Sequence, residues 1–425
     1  MRLLYLLLLP LLFSCTKIEL IDSENLVEKS PVDVSDFFSF EYDSLGFVMS
    51  NDVLERAYQM ATLEWTPVNP VPMNGGKFYP KGRTVTGVPY SSVKEINTYL
   101  FQDVSYHTFM TAVYNPRSVL YTEDVSKTPY HGKNCASYYG AVCSSAVMFA
   151  FGINIPYYAN QIIRLPYMDR LEYQVIDSLK VCDVIWKNGH VQMIYEIEHR
   201  ADTLYRITTF ESSGISAHLS DYSKEQFLKM WNKERYVGYR NNHLKYSEDI
   251  VEFKMLPPVN HNEDLCPSKG DRSVYRTTDV VTINIFNPYY TRIVLTNGLT
   301  NEIVSETIRG EDHTFYGLKP GIYFVSLQKG ESKSETVSFE IVETNVDYSD
   351  GDEGDGITVY FHSSAKPEYV ALCTLWGSSS YYPISSDECE RGYISIPRMN
   401  TSEYYCKIVF KGEYGRIINE PIRVQ

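Results

Sequence analysis

The pattern of hydrophobic and polar positions divides the 425-residue chain into regions with different predicted structure. Residues 51–63 have helical spacing, with Asn51 or Asp52 as the N-cap. Residues from about 115 to 245 alternate between helical and strand-like patterns. From residue 276 onward, short runs rich in β-branched and aromatic residues are separated by turn residues. The pattern therefore predicts a mixed α and β region followed by all-β modules.

The all-β tail contains an internal repeat. Residues 321–342 align without gaps with residues 403–424, so that Tyr323 matches Tyr405 and Lys329 matches Lys411. Self-similarity of this kind indicates tandem copies of one structural unit. The first copy has strand-like runs at 281–286, 292–296, 323–327 and 337–342. We therefore expect two Ig-like β-sandwich modules, at 276–345 and 356–425.

Two polar stretches are predicted to be linkers. Residues 246–275 contain three prolines among polar residues and are expected to connect the mixed region to the first module. Between the modules, acidic residues crowd a Gly-containing stretch, namely Asp347, Asp350, Asp352, Glu353 and Asp355. A calcium loop is one interpretation of this stretch, but its composition favours a solvated linker.

The N-terminus carries an apolar run from residue 3 to residue 13, which follows Met1-Arg2. The run is too short to span a bilayer, so residues 1–15 are predicted to be a signal peptide. Leu12-Phe13-Ser14-Cys15 resembles the bacterial lipobox, whose cysteine is acylated, and Cys15 is therefore the expected lipidation site. An ordinary signal peptide cleaved elsewhere is the alternative. With residues 16–36 as a polar tether, we expect an exported, membrane-anchored lipoprotein at the periplasmic face or the cell surface.

The overall composition excludes several classes of protein. The chain has 39 Lys and Arg against 53 Asp and Glu, which gives a formal net charge of −14. This balance argues against nucleic-acid binding, because such proteins need a basic face to displace counterions from phosphates. The hydrophobic fraction of 44% and the charged fraction of 22% exclude a disordered, collagenous or coiled-coil chain.

The cysteines argue against a metal site. Apart from Cys15 there are seven, an odd number, so at least one is expected to be a free thiol. No pair has zinc-finger spacing, and Cys135 and Cys143 have no companion His pair. Cys373, Cys389 and Cys406 lie in the β-rich tail, where a disulfide is allowed but not deducible. We expect neither a metal nor a cofactor.

One cysteine lies at the predicted start of a helix. An apolar run begins at or just after Cys143, and Gly152 and Pro156 end it. The small residues at 144–146 allow this helix to pack closely against a neighbour. A cysteine at a helix N-terminus is stabilised as a thiolate by the helix dipole, which is what a cysteine nucleophile requires.

A hairpin follows with a histidine at its turn. Asn188-Gly189 is a strong turn dipeptide between two strand-like runs. On the second strand an apolar face is predicted, formed by Val191, Met193, Tyr195 and Ile197. His190 and Gln192 then point the other way. His190 is thus well placed to act as a base, while Cys182, within the preceding strand-like run, is predicted to be a core residue.

The next predicted strand, 204–211, ends with the acidic residue Glu211. If strands 190–197 and 204–211 pair around a polar turn, Ile197 lies opposite Leu204 and His190 lies opposite Glu211. Directly opposed side chains are close enough for the carboxylate to orient the imidazole. A slip of two residues would bring Thr209 opposite His190 instead. Glu211 is the preferred third member of the site, with Thr209, Ser212 and His218 as alternatives.

These runs together resemble the NlpC family of papain-like cell-wall peptidases. The Cys143 run is similar to the family's nucleophile motif, usually Asp-Cys-Ser-Gly before an apolar helix, and residues 184–195 resemble its paired strands with Gly-His-Val. A closing helix with Ser223 and Gln226 as a capping box leads to residues 236–240, like the family's final strand. The resemblance spans 115–245 and implies an α+β papain-like catalytic domain.

The resemblance implies a cysteine hydrolase without cofactors. Cys143 would be the nucleophile, His190 the base, and a third residue would orient the imidazole. Family members often cleave the bond between D-γ-glutamyl and a diamino acid in peptidoglycan peptides, which are therefore the expected partners. A non-catalytic lipoprotein that binds peptides or glycans on a papain-like scaffold is the alternative. The β-sandwich modules are expected to be spacers, with a glycan or protein partner as the other interpretation.

Three departures from the family pattern bear on the site. Val142 replaces the usual Asp, which in relatives can hold the substrate's free amine, and Ser145 replaces the usual Gly. The family's third residue is commonly His, Asn or Gln, so Glu211 is unusual. A Gly-x-Pro-Tyr element normally precedes the nucleophile and supplies a substrate-binding tyrosine.

That tyrosine has two candidates. Tyr90 ends Gly87-Val88-Pro89-Tyr90, which fits the motif better, and Tyr130 ends Thr128-Pro129-Tyr130, which is nearer in sequence but lacks the Gly. Choosing Tyr90 means that residues 37–114 belong to the catalytic domain or that a long insertion precedes the nucleophile. Cys135 is the alternative nucleophile, although the residues after it do not open a convincing apolar helix.

Overall fold

A computed structural model describes residues 47–72, 78–90, 104–118, 140–153, 155, 157–201, 203–248, 251–350, 356–374, 379–401, 403–419 and 421–424. The structure is mostly β-sheet with few helices. The signal peptide and tether predicted at 1–36, with Cys15, lie outside the described residues, as do Tyr130 and Cys135. The helices and strands fall into three groups along the chain.

The first group contains short strands and two helices. Its members are β1 (Val48–Met49), α1 (Ser50–Thr62), β2 (Glu64–Trp65), β3 (Val71–Pro72), β4 (Phe78–Tyr79), β5 (Val85–Thr86) and α2 (Tyr106–Tyr114). The helix predicted at 51–63 is α1, which begins one residue earlier after Met49. Ser105 caps α2, because its hydroxyl accepts from the Thr108 amide.

The second group forms the central sheet and its helices. Its members are α3 (Cys143–Ala150), α4 (Ala159–Ile162), β6 (Met168–Arg170), β7 (Val184–Lys187), β8 (His190–Arg200), β9 (Thr203–Ser213), β10 (Ser216–Ser223), α5 (Lys224–Glu234), β11 (Val237–Asn241) and β12 (Leu244–Lys245). Six of these strands form a sheet in the order β10-β9-β8-β7-β11-β6. The predicted Ser223–Gln226 capping box is confirmed at the start of α5.

Both faces of the central sheet are covered. On one face α1 and α3 pack in a core that contains Val184, Val191, Met193 and Phe210. On the other face α5 packs with Phe227 and Trp231 against Ile185, Ile194 and Ile207. Every residue of α3 is buried, which its small residues at 144–146 permit. Residues of α1 and α2 belong to the first of these cores, so the chain before residue 115 shares a core with the central sheet.

A β-bulge changes which side chains share a face of β8. The pairing of β8 with β9 shifts between Ile194 and Glu196 and again between Glu198 and His199. Tyr195 packs with the α1 and α3 core, but Ile197 packs with the α5 core. The prediction that Ile197 continues the apolar face of Val191 and Met193 is therefore wrong, because a bulge inserts one residue and reverses the alternation.

The third group forms two β-sandwiches. Strands of the first are β13 (Leu265–Pro267), β14 (Ser273–Arg276), β15 (Val281–Ile285), β16 (Arg292–Asn297), β17 (Ile303–Thr307), β18 (Asp312–Phe315), β19 (Gly321–Lys329), β20 (Ser332–Lys333) and β21 (Val337–Val342). They form the sheets β13-β15-β18 and β14-β21-β19-β16-β17 around one apolar core. The stretch 246–275, expected to be a linker, therefore contains β13 and most of β14. Their pairing with β15 and β21 in the fold was not visible in their sequences, which are short and, in β13, contain a proline.

The second sandwich repeats the first. Its members are β22 (Thr344–Asp350), β23 (Gly356–Ser363), β24 (Lys366–Cys373), β25 (Ser379–Pro383), α6 (Ser386–Arg391), β26 (Tyr393–Pro397), β27 (Tyr404–Lys411), β28 (Arg416–Ile418) and β29 (Ile422–Val424). The aligned repeats form matching antiparallel pairs, β19 with β21 and β27 with β29. The acidic stretch predicted to be a linker begins inside a strand, because β22 pairs with β23 as far as Asp350.

The sandwiches contact the rest of the molecule through polar pairs and through apolar side chains such as Val104, which packs against the core of the second sandwich. His107 of α2 lies 2.9 Å from the carboxylate of Asp271, and the Asp271 amide donates to the Thr111 hydroxyl. Between the sandwiches, the Tyr414 amide donates to the Glu340 carboxylate. Helix α2 thus has one side in the core with the central sheet and another side against the first sandwich.

Candidate active site

Cys143 is the first residue of α3, as the sequence predicted. Val142 is the N-cap, and its amide donates to the Ser145 hydroxyl over 3.0 Å. Ser145 thus satisfies one of the amides at the helix start, a task that Glu or Gln performs in a capping box. The amides of the first turn have no partner within the helix, so they can receive an anion beside the Cys143 sulfur.

His190 begins β8, directly after the hairpin turn. Lys187 lies opposite His190, and Gly189 between them has φ +78°, a conformation that favours glycine. The Asn188-Gly189 hairpin is therefore confirmed. The His190 side chain is partly buried and lies close enough to the Cys143 side chain for that group to raise its pKa. The packing of α3 on β8 thus brings together Cys143 and His190, which are distant in sequence.

Glu211 reaches His190 through a different strand register from the one expected. Met193 lies opposite Phe210, and Ile197 lies opposite Ile207 rather than Leu204. The predicted register is wrong by two residues at the His190 end, because the turn places Arg200 opposite Thr203 and the two bulges that follow cancel each other. An even slip keeps the same side chains on the same face, so Glu211 remains a diagonal neighbour of His190. The His190 Nε2 lies 2.8 Å from Glu211 Oε2.

The contacts of His190 favour its charged form. Burial disfavours the imidazolium, but the hydrogen bonds and charges of Cys143 and Glu211 outweigh it and raise the pKa of His190 to about 9. The Nε2 atom faces Glu211, which leaves Nδ1 as the nitrogen available to the thiol. At neutral pH the raised pKa favours an imidazolium at His190, which lies between the Cys143 side chain and a buried carboxylate.

Glu211 is ionised in spite of its burial. Burial raises the pKa of its carboxyl, but the hydrogen bond and charge of His190, with the charge of His218 and a hydrogen bond from Ser213, hold the pKa below its ordinary value. His218 lies directly opposite Glu211 on β10, with its Nε2 3.7 Å from Oε1. His218 therefore contacts the carboxylate from the side away from His190.

Tyr90 lies beside Cys143. Residues 87–90 run next to the start of β10, with the Tyr90 amide donating to Ile215 and a bridge from Tyr90 to Ala141. Gly87 is required there, because its φ is +88° and a Cβ atom would lie 2.0 Å from the Ala217 carbonyl oxygen. Burial first, and then the charge of Cys143, raise the pKa of the Tyr90 hydroxyl. The Gly87 element is thus next to Cys143 in space, although it is distant in sequence.

Cys182 is not in a strand, contrary to the sequence interpretation. It lies in a turn before β7 with φ +68°, fully buried, and burial raises the pKa of its thiol. A buried thiol of this kind is unreactive. Thr209 and Ser212, which the sequence also allowed as the third member of the site, are fully buried, and the Ser212 hydroxyl donates to the Ala141 carbonyl.

The remaining cysteines and acidic residues form no further site within the described residues. The six described cysteines are free thiols: Cys143, Cys182, Cys266, Cys373, Cys389 and Cys406. In the same part of the chain, no group of three or more His, Cys, Asp or Glu is arranged to hold a metal ion.

Two contributors to the site were missed by the sequence analysis. Gln192 donates to Glu211 Oε1 over 3.0 Å, and the Ser220 hydroxyl donates to the same atom over 3.3 Å. The alternation of β8 already placed Gln192 on the His190 side of the strand, and this was the available signal. Ser220 had no comparable signal, because its proximity depends on the pairing of β10 with β9.

Comparisons with known proteins do not identify a family for this chain. No family model matches it, and no curated protein matches it. One similar solved structure is a cytokine receptor complex, crystal form 1A, with a TM-score of 0.24 and 10% identity over 38% of this chain and 96% of that chain. Another is the fibronectin(III)-like modules of Clostridium thermocellum CbhA, with a TM-score of 0.20 and 9% identity over 38% and 91%. These similarities do not bear on the site at Cys143.

No helix in the described part of the chain combines the length and the apolar character needed to cross a bilayer.

Proposed function

We propose that this protein is a papain-like cysteine peptidase or amidase of the NlpC type that acts on cell-wall peptides. The observation that carries the proposal is the position of His190, which lies beside the Cys143 side chain and 2.8 Å from the Glu211 carboxylate. A nucleophile, a base and an orienting group in this order are the requirements for acyl transfer through a covalent enzyme intermediate. A binding protein has no need for this arrangement.

In the first half of the proposed reaction, the Cys143 thiolate attacks the carbonyl carbon of the scissile amide. The electron pair of the carbonyl moves to oxygen, and the resulting anion is stabilised by amides of the first turn of α3. His190 then gives its Nδ1 proton to the amide nitrogen, the C–N bond breaks, and the amine leaves. The products of this half are a thioester on Cys143 and a neutral His190.

In the second half, water attacks the thioester. Neutral His190 accepts a proton from the water, and the C–S bond breaks with the electron pair returning to sulfur. The carboxylic acid product leaves, and the thiolate and imidazolium are restored. Glu211 keeps the ring in one orientation throughout, because its Oε2 accepts from Nε2 in both halves.

The substrate class follows from the proposed family. We assign the bond between D-γ-glutamyl and a diamino acid of a peptidoglycan peptide as the target. Val142 offers an apolar side chain where relatives have an acid that can hold a free amine. The substrate amine is therefore expected to be unnecessary for cleavage, and Tyr90 is the substrate-binding residue assigned beside Cys143. Acylation of Cys15 would hold the enzyme at a membrane outside the cytoplasm.

The proposal is tested with the full chain in two experiments. Iodoacetamide labelling, followed at the Cys143 peptide by mass spectrometry, is expected to be faster than that of an unactivated thiol. Cys143→Ala is expected to abolish both this labelling and the release of fragments from muropeptides, whereas Cys135→Ala retains both. If purified protein releases no fragment from defined muropeptides and Cys143 labels no faster than a free thiol, the peptidase assignment is wrong. A peptide- or glycan-binding lipoprotein would then be the better interpretation.

A further inference from the structure

Gln192 lies beside the Glu211 carboxylate but is not one of the three proposed catalytic residues. It follows His190 by two positions on β8 and is only 3% exposed. Its Nε2 donates to Glu211 Oε1 over 3.0 Å and lies 3.4 Å from His190 Nε2. His190 contacts the other oxygen, Oε2. Each carboxylate oxygen is therefore contacted by one side chain of the same strand.

The amide of Gln192 can face the carboxylate in only one way. Its nitrogen must point to Glu211, because the amide oxygen would repel the carboxylate oxygen. The Gln192 Oε1 atom is then buried, and no hydrogen-bond partner for it is present among the described residues. A buried polar atom without a partner costs about 1–3 kcal/mol. Packing alone therefore favours an apolar side chain of similar shape, such as methionine, over glutamine.

We propose that Gln192 is a positioning residue that fixes the rotation of the Glu211 carboxylate, so that Oε2 stays directed at His190. This inference rests on the proposed function, because the position of the carboxylate matters only if His190 acts on Cys143. Gln192 acts through Glu211 and is assigned no contact with substrate. Its place on the same strand as His190 couples the two contacts, since any movement of β8 moves both side chains together.

Such a residue is needed because side chains of β10 contact Glu211 from the side opposite to β8. Strand β10 presents His218, 3.7 Å from Oε1, and the Ser220 hydroxyl, 3.3 Å from the same atom. The titratable groups that face Glu211 are His190 on β8, His218 and Tyr222 on β10, and Tyr236 before β11, with Cys143 acting through His190. Without the amide donor on β8, the partners on β10 can turn the carboxylate away from His190.

The variant Gln192→Met tests the proposal. A carboxylate turned towards β10 stabilises the imidazolium less, so deprotonation of His190 is expected to move to lower pH by about 0.5 unit or more. The readout is the pH dependence of iodoacetamide labelling at the Cys143 peptide, which needs no substrate. With muropeptides, kcat is expected to fall about tenfold at unchanged KM. The melting temperature is expected to change little, because a donor and an unpartnered oxygen are lost together.

Two variants serve as controls. Gln174→Met removes a glutamine whose side chain bonds the backbone of Leu171 and Gly238, and it is expected to lower the melting temperature and leave the labelling profile unchanged. Ser220→Ala removes a donor on the β10 side, and it is expected not to lower the pH of His190 deprotonation. If Gln192→Met does not fold, Gln192→Asn, which withdraws the nitrogen from Glu211, is measured in the same way.

The outcomes separate the two proposals. If the pH dependence of Cys143 labelling in the wild-type protein shows no step from the deprotonation of His190, the proposed function is wrong, whatever the variants show. A wild-type step that Gln192→Met leaves at the same pH, with unchanged kcat, would show that Gln192 is merely structural and overturn the positioning role. A downward shift in Gln192→Met that is absent in Gln174→Met and Ser220→Ala supports it.

Discussion

Two buried carboxylates in the central sheet have opposite electrostatic behaviour. Asp183, at the start of β7, is fully buried and accepts two hydrogen bonds from Arg240, over 2.7 and 2.6 Å. Burial still outweighs Arg240 and raises the pKa of Asp183. At Glu211 the balance is reversed, because His190 and its other neighbours hold the pKa of Glu211 below its ordinary value in spite of burial.

The contrast separates a carboxylate of the candidate site from one whose contacts only stabilise the fold. Asp183 contacts the guanidinium of Arg240, which is always charged, and the Lys180 amide. Its contacts therefore connect the turn before β7 to β11. Glu211 contacts a side chain that can lose its proton, and that side chain also contacts a thiol. The presence of a titratable partner with a second, reactive neighbour marks the Glu211 region as the candidate active site.

His190→Ala is expected to cause the greatest loss of activity among the variants. Without the imidazole, Cys143 loses its proton acceptor and the leaving amine loses its proton donor. Muropeptide cleavage is expected to fall by about 10³-fold or more, measured as kcat/KM, with the circular dichroism spectrum unchanged. A variant that keeps more than a tenth of wild-type activity would contradict the role of His190.

Asp183→Asn is expected to affect stability and not the chemistry. Removing one partner of a buried ion pair leaves Arg240 without its counter-charge, which costs about 3 kcal/mol of unfolding free energy. Urea denaturation measures this loss, and Cys143 labelling in the folded fraction is expected to remain at the wild-type rate. Loss of labelling at full folding would mean that Asp183 belongs to the site, and the contrast with Glu211 would disappear.

Glu211→Gln is expected to lower kcat/KM about 100-fold at pH 7, because a neutral amide stabilises the imidazolium less and does not fix its orientation. The carboxylate helps to raise the pKa of His190 to about 9. Its removal must therefore lower that pKa, and the alkaline limit of activity is expected to move to lower pH. A pH profile that keeps its alkaline limit would exclude Glu211 as the orienting residue.

The smallest effect is expected for His218→Ala. This side chain is partly exposed, lies 3.7 Å from Glu211 Oε1 and has no described contact with His190. Activity at pH 7 is expected to change by less than about threefold, since a partly exposed charge contributes little. A loss as large as that of Glu211→Gln would make His218 the third member of the site.

The sequence allowed three residues that lie together in the structure to be chosen for the candidate site, but it did not allow their arrangement to be derived. Cys143 carries the signal of a helix start, and His190 carries that of a hairpin turn, and both signals are local. The register of β8 on β9 depends on the position of the turn, which places Arg200 opposite Thr203, and the two cancelling bulges left no local pattern that the sequence analysis could use. Glu211 was chosen correctly as a neighbour of His190, because an even slip preserves the face.

The remaining differences have the same origin. Cys182 looked like a strand residue because Val181, Val184 and Ile185 around it are β-branched, but the chain turns at Cys182 with φ +68°, and the next residue, Asp183, pairs with Arg240. Strands β13 and β14 are short and proline-containing or polar, and only their partners β15 and β21 make them strands. Long apolar helices and strands were predicted well, because the spacing of their buried residues is visible in the sequence. Short strands such as β13 and β14, and the turn at Cys182, depend on partners that are distant in sequence.

The position of α2 has a consequence for how this protein can be divided. One side of the helix lies in the core that it shares with the central sheet, and its Thr108 hydroxyl donates to the Arg272 carbonyl of the first sandwich. A protein truncated after residue 248 would leave His107, Thr108 and Thr111 facing water without their partners. Removal of the tail would therefore change the surroundings of a helix that also packs in the core of the central sheet.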